Sequence, residues 1–158
     1  MKGEAPFQRL ILFAASGLGA GYVPKAPGTA GAAAALPLCW WITTLDPVSA
    51  SAVVLAVAAV SVALAHAAEK ALGTKDPSLV TVDEMAGMAV AFLFHDFTLL
   101  SAAALFALFR LFDIWKPFPV KQLDERLSGG FGIVLDDVAA GIYANLVWSL
   151  AIRMFGQG

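Results

Sequence analysis

The sequence predicts an all-α bundle embedded in, or associated with, a membrane. Three observations carry this. Hydrophobic residues make up 59% of the 158-residue chain, charged residues only 14%, and the mean hydropathy is +0.78, whereas a soluble domain runs near half apolar and a quarter charged. Residues 48–68 hold no formal charge, and a run of about 20 apolar residues suffices to cross hydrocarbon. The charges that exist come in tight groups between apolar stretches. Length allows one domain, residues 1–158. A net charge of -2 leaves no nucleic-acid footprint, and a single cysteine, Cys39, excludes a disulfide framework.

The elements follow in order. Residues 5–23 begin apolar and become glycine-rich, which reads as an interfacial or re-entrant helix. Residues 24–29 (PKAPGT) form a turn, with Thr29 as the N-cap of a helix over 30–45. Trp40 and Trp41 near its end suit an interfacial aromatic belt. Asp46-Pro47 turns the chain into the span over 48–68, whose Ala and Ser residues allow close helix packing in lipid. Residues 69–84 are polar. Residues 85–109 are apolar around His95-Asp96, which reads as a helical hairpin. Residues 110–137 are again highly charged, and 138–155 form a last apolar helix. The β-branched run Val80-Thr81-Val82 is too short to argue a sheet.

Charge asymmetry favours the hairpin. With a turn at His95-Asp96, nine of the ten basic residues, all but Arg153, lie on one side. One straight span would split them six to four and put His95-Asp96 at costly membrane depth. The positive-inside rule then places the charged segments in the cytoplasm.

That topology gathers two acidic pairs on one face. Asp83-Glu84 precedes the apolar MAGMAVAFLF, and Asp136-Asp137 precedes VAAGIYANLV. Gly87 and Gly141 follow a few residues into each helix and would let the helices approach closely. One acid at a helix mouth is explained by capping and the helix dipole. Two doubled acids are not, because crowded carboxylates repel unless a cation neutralises them. Asp83, Glu84, Asp136 and Asp137 therefore read as metal ligands, and an all-oxygen set suits Mg2+ over zinc.

Arg110, Asp113 and Lys116 are spaced i, i+3, i+6 and share a helix face. By itself this is an ion-pair ladder. Beside the acidic pairs it reads as a further carboxylate flanked by phosphate-binding cations. Lys25 stands before the turn at Gly28-Thr29, whose N–H groups at a helix start would receive an anion. Gly129-Gly130-Phe131-Gly132 would be a flexible loop closing over a ligand. No Gly-Lys dipeptide, Asp-x-Asp or Asp-Gly is present, which removes a Walker P-loop, a haloacid-dehalogenase nucleophile and the usual start of a CDP-alcohol phosphotransferase motif.

The segments Gly-x-Gly with Pro-x-x-Pro-Gly-Thr-x-Gly (19–31), Asp76 through Val-Asp-Glu-x-x-Gly-Met (82–88), Phe-Arg-x-Phe-Asp-Ile-Trp-Lys-Pro-x-Pro (109–119) and Gly-Gly-x-Gly-Ile-x-x-Asp-Asp-x-x-Ala-Gly (129–141) together resemble the phosphatidylglycerophosphatase A family. They cover nearly the whole chain in the family's order. Pro77-Ser78 departs from the family's more polar turn, so Asp76 is left out of the expected site. The resemblance implies an interfacial active site that hydrolyses phosphatidylglycerophosphate to phosphatidylglycerol with Mg2+, in the bacterial inner membrane. Lys25, Arg110 and Lys116 would bind phosphate, and Asp113 would serve as ligand, base or nucleophile. The rival from the residues alone is a non-enzymatic cation-binding transport protein, with acids lining a path at membrane depth. A second rival keeps the enzyme and changes the phosphorylated substrate.

Overall fold

The structure is a computed structural model that describes residues 6–118 and 120–155. Among these residues there are eight α-helices and no strand. They are α1 (Pro6–Ala15), α2 (Pro27–Ala34), α3 (Leu36–Thr43), α4 (Pro47–Leu72), α5 (Val82–Phe92), α6 (Leu99–Trp115), α7 (Val120–Arg126) and α8 (Gly129–Phe155), with a short 3-10 turn at Ala20–Tyr22.

The expected span over 48–68 is longer by a turn. The Asp46 carboxylate accepts from the Val48 and Ser49 amides at 3.1 and 3.2 Å, so Asp46 is the N-cap of α4, and Gly73 ends the helix in the left-handed conformation. α4 and α8 are the two described helices long and apolar enough to cross a membrane. The architecture is that of an all-α membrane-associated protein.

The hairpin stands as expected. α5 and α6 are separate helices joined through Leu93–Thr98, and Thr98 caps α6 in a reciprocal box with Ser101. α5 is the centre of the bundle and packs against α2, α3, α4, α6 and α8. Met88 and Phe92 of α5, Leu105 and Phe109 of α6, Ala140 and Ala144 of α8 and Cys39 of α3 form one buried cluster. The carbonyls at the C-terminal end of α5 lack helical partners. The Asn145 side-chain nitrogen lies 3.2, 3.1 and 2.8 Å from the carbonyl oxygens of Val90, Ala91 and Leu93, so its two N–H groups serve this helix end, where the Val90 carbonyl also accepts from the Leu93 amide.

Three local expectations are corrected. The helix expected over 30–45 is two helices, parted at Ala35, because Pro37 lacks an N–H and its ring crowds the preceding turn. α2 starts at Pro27 with Ala26 as N-cap, so Thr29 lies inside the first turn and caps nothing. α8 starts at Gly129, not at residue 138, so the glycine run is helix rather than loop. The reason lies in packing. A Cβ on Gly130 would stand 1.9 Å from the Val62 carbonyl oxygen, so glycine here lets α8 press against α4.

Candidate active site

The N-terminal ends of α2, α5 and α8 and the C-terminal end of α6 surround a cavity of about 520 Å³. Lys25, Gly28, Thr29, Asp83, Glu84, Arg110, Asp113, Lys116, Asp136 and Asp137 all line it. These are the ten residues that the sequence singles out.

Asp83 and Glu84 occupy the first turn of α5, after the N-cap position Thr81. Asp137 comes from the third turn of α8. One carboxylate oxygen from each of Asp83, Glu84 and Asp137 lies within 4.8 Å of the other two. Asp83 Oδ1, Glu84 Oε2 and Asp137 Oδ2 are buried with no hydrogen-bond partner. Buried carboxylate oxygens left this way are costly. Burial, and then the charge of Glu84, push the Asp83 carboxyl well above the ordinary range. Burial also raises Glu84. Three such groups fit a hard cation, which takes oxygen donors and removes the repulsion.

Capping does not account for the second pair. Asp136 and Asp137 sit two turns inside α8, beyond the reach of its N-terminal amides. This also corrects their expected position at a helix mouth. Rotation about α8 separates their roles. Asp137 faces α5, while Asp136 Oδ2 accepts from Lys116 Nζ at 2.7 Å. The structure thus brings three of the four expected ligands together and gives the fourth to a lysine.

Arg110 is held by two acids. Its guanidinium donates to Asp113 and lies 3.9 Å from Glu84 Oε1. Gly28 makes this possible, because a Cβ there would meet Glu84 Oε1 at 2.2 Å and Arg110 Nη1 at 3.0 Å. The first turn of α2 therefore sits directly over the Glu84–Arg110 pair. Lys25 opens onto the same cavity from the preceding loop.

Sequence reasoning missed Asp76 and Ser78, which also line the cavity. The departure at Pro77-Ser78 hid Asp76. Backbone conformation marks it in the structure. Five described non-glycine residues have a left-handed φ, and three of them, Lys25, Asp76 and Lys116, line the cavity. Such strain costs about 1–3 kcal/mol per residue and gathers at functional sites.

Carboxylates able to share a cation and basic groups able to hold phosphate, in one open cavity at the end of an apolar helical bundle, define a class: a membrane-associated enzyme that works on phosphate. Comparison with known proteins narrows this. The family model described as Phosphatidylglycerophosphatase A matches residues 13–152. The Phosphatidylglycerophosphatase A of Escherichia coli K12 is 35% identical over 131 residues, covering 81% of this chain and 75% of that protein. That of Haemophilus influenzae Rd is 37% identical over 139 residues, covering 84% and 83%. A Bacteroides thetaiotaomicron protein provisionally named phosphatidylinositol-3-phosphatase is 37% identical over 149 residues, covering 89% and 92%. No solved structure matches. The chain belongs to the phosphatidylglycerophosphatase A family, and it is a phosphatase.

Proposed function

We propose that this protein hydrolyses phosphatidylglycerophosphate to phosphatidylglycerol and phosphate, with Mg2+ as cofactor. The carrying observation is the trio Asp83, Glu84 and Asp137, with a buried unpartnered oxygen on each, facing Arg110, Lys116 and Lys25 across one cavity. The substrate is that named for the Escherichia coli and Haemophilus influenzae relatives. The reaction would complete phosphatidylglycerol synthesis at the cytoplasmic face of the bacterial inner membrane, where the positive-inside rule puts the cavity end.

Asp83, Glu84 and Asp137 would hold the metal. A bound Mg2+ supplies positive charge for the phosphoryl oxygens and lowers the pKa of a coordinated water. Arg110 and Lys116 neutralise the equatorial oxygens as charge develops, and Lys25 closes the set from the loop before α2. Gly28 and Thr29, in the first turn of α2, present main-chain N–H groups to the phosphate. Asp113 fixes the guanidinium of Arg110, and that engagement makes it a poor nucleophile. Attack by water follows. The new P–O bond forms to the water oxygen, the P–O bond to the lipid glycerol breaks, and the water's proton ends on the departing glycerol oxygen.

The name of the Bacteroides thetaiotaomicron relative supports a second reading, a different phosphorylated lipid with the same chemistry. The transport reading finds no support, since the acids lie at one end of the bundle among cations. Phosphate release from purified protein decides. Hydrolysis of phosphatidylglycerophosphate that needs Mg2+ is expected. No release from this lipid, with release from a phosphoinositide, would replace the substrate. Full turnover after metal stripping in excess EDTA would remove the metal.

A further inference from the structure

We infer that Asp76, with Ser78 beside it, determines which headgroup the cavity accepts: the Asp76 carboxylate takes a hydrogen bond from a hydroxyl on the carbon next to the phosphate ester. This rests on the proposed phosphatase reading and adds which part of the headgroup is recognised, and by what. The cavity lining divides by depth. Asp83, Asp136 and Asp137 are buried, while Lys25, Asp76 and Ser78 are exposed at its mouth. The phosphoryl group belongs at the inner end, against the carboxylate trio and Arg110. Whatever carries the phosphate then lies beside the exposed residues, and about 520 Å³ leaves room for it. After burial and Glu84, the charge of Asp76 also raises the Asp83 carboxyl, so Asp76 is within electrostatic reach of the inner end.

Chemistry assigns the role. Glu84 and Asp113 engage Arg110, and Asp136 engages Lys116. Asp76 lies outside these pairs and outside the trio. A carboxylate repels phosphate and so is ill suited to holding it. It suits a hydroxyl, which must donate, and a hydrogen bond to an ionised acceptor is a strong one. The Ser78 hydroxyl can donate or accept. The phosphatidylglycerophosphate headgroup has one free hydroxyl, on the glycerol carbon next to the phosphate-bearing one. The turn that carries Asp76 is firmly held. Pro77 is buried, the Val80 amide donates to the Pro77 carbonyl at 2.8 Å, and the Thr81 amide donates to the Ala15 carbonyl at 2.9 Å. A Cβ on Gly21 would stand 1.9 Å from the Leu79 carbonyl oxygen, so the loop leading to Lys25 presses on this turn. Asp76 itself has a φ of 46°, which a non-glycine residue keeps where the surrounding fold holds it. A polar group fixed in this way discriminates strongly, because an analogue without the hydroxyl leaves it unpaired.

The test uses the full chain in detergent micelles with Mg2+. Phosphate release from phosphatidylglycerophosphate is compared with release from a counterpart whose bridging glycerol carries hydrogen in place of its free hydroxyl. Wild-type kcat/KM should be about 30-fold lower for the counterpart, the size of a hydrogen bond to a charged group. Asp76→Gly removes the carboxylate and keeps the left-handed backbone without strain. It should bring the two lipids within about threefold of each other. Asp76→Asn still offers a carbonyl acceptor and should give an intermediate ratio. Should Asp76→Gly fail to fold, the Asp76→Asn ratio decides, and an unchanged ratio there overturns the assignment. Equal wild-type rates on the two lipids, or an equal loss on both in Asp76→Gly, also overturn it. A wild-type protein that releases phosphate from neither lipid would fail the phosphatase reading instead.

Discussion

Gly87 and Gly141 meet backbone to backbone where α5 crosses α8. A Cβ on Gly141 would stand 2.2 Å from the Gly87 carbonyl oxygen, and one on Gly87 would stand 2.7 Å from the Asp137 carbonyl oxygen. Asp83 and Asp137 each lie one turn before these glycines on their helices. The closeness of the crossing thus sets the separation of the two carboxylates. Gly141→Ala should cost about 1–3 kcal/mol through overpacking and lower turnover at least tenfold, because α5 and α8 must part. Thermal unfolding in detergent and phosphate release measure the two effects. Unchanged turnover would show that the site tolerates a wider crossing.

The near-side acids separate from the far-side ones by isosteric change. Asp83→Asn, Asp113→Asn and Asp137→Asn should each lower turnover by about 100-fold or more, equivalent to about 2.7 kcal/mol of activation free energy, in protein that still folds and inserts. Asp46→Asn and Asp96→Asn should be nearly silent. Asp46 is a helix cap, and Asn caps about as well as Asp. Wild-type rates in the near-side variants would end the catalytic assignment.

Metal should stabilise the fold as well as support turnover. At a concentration of 100 times its Kd, a ligand of the native state adds about 2.7 kcal/mol, visible as a raised Tm with Mg2+ that Asp83→Asn removes. The pH dependence has a definite sign. Burial raises Asp83 and Glu84 above their unfolded values, so the metal-free native state binds more protons than the unfolded chain. Its stability should therefore fall as pH rises from about 4 through the raised range. Mg2+ should flatten that fall. A Tm indifferent to Mg2+ at neutral pH would count against these ligands.

The Lys116–Asp136 pair can be divided into structure and catalysis. Asp136 is buried, and Lys116 is partly exposed. Lys116→Met leaves a buried carboxylate without this partner and should cost about 3 kcal/mol. Adding Asp136→Asn should restore much of the stability but not the turnover, if Lys116 acts on phosphate. Recovery of both would make the lysine a structural counter-ion only.

Topology is open to a labelling test. Ser78 and Ser128, as cysteines in a Cys39→Ser background, should react from the same side of the membrane. Labelling from opposite sides would contradict the arrangement of α5 and α6.

The sequence by itself determined the helical class, the apolar span of α4, the hairpin at His95-Asp96, the acidic pairs and the Arg110–Lys116 segment, and the family's motifs added Lys25, Gly28 and Thr29. These depend on composition, run length and residues adjacent in the chain, which are one-dimensional properties. Tertiary structure decided which neighbour in each acidic pair does what. Successive helical residues point about 100° apart, so the contact of α8 with α5 turns Asp137 toward Asp83 and leaves Asp136 to Lys116. Packing also decided where α8 begins, because Gly130 reads as a loop residue until Val62 lies against it. Asp76 was set aside for a different reason, the departure of Pro77-Ser78 from the family's turn; the fold brings it to the cavity through a left-handed backbone conformation.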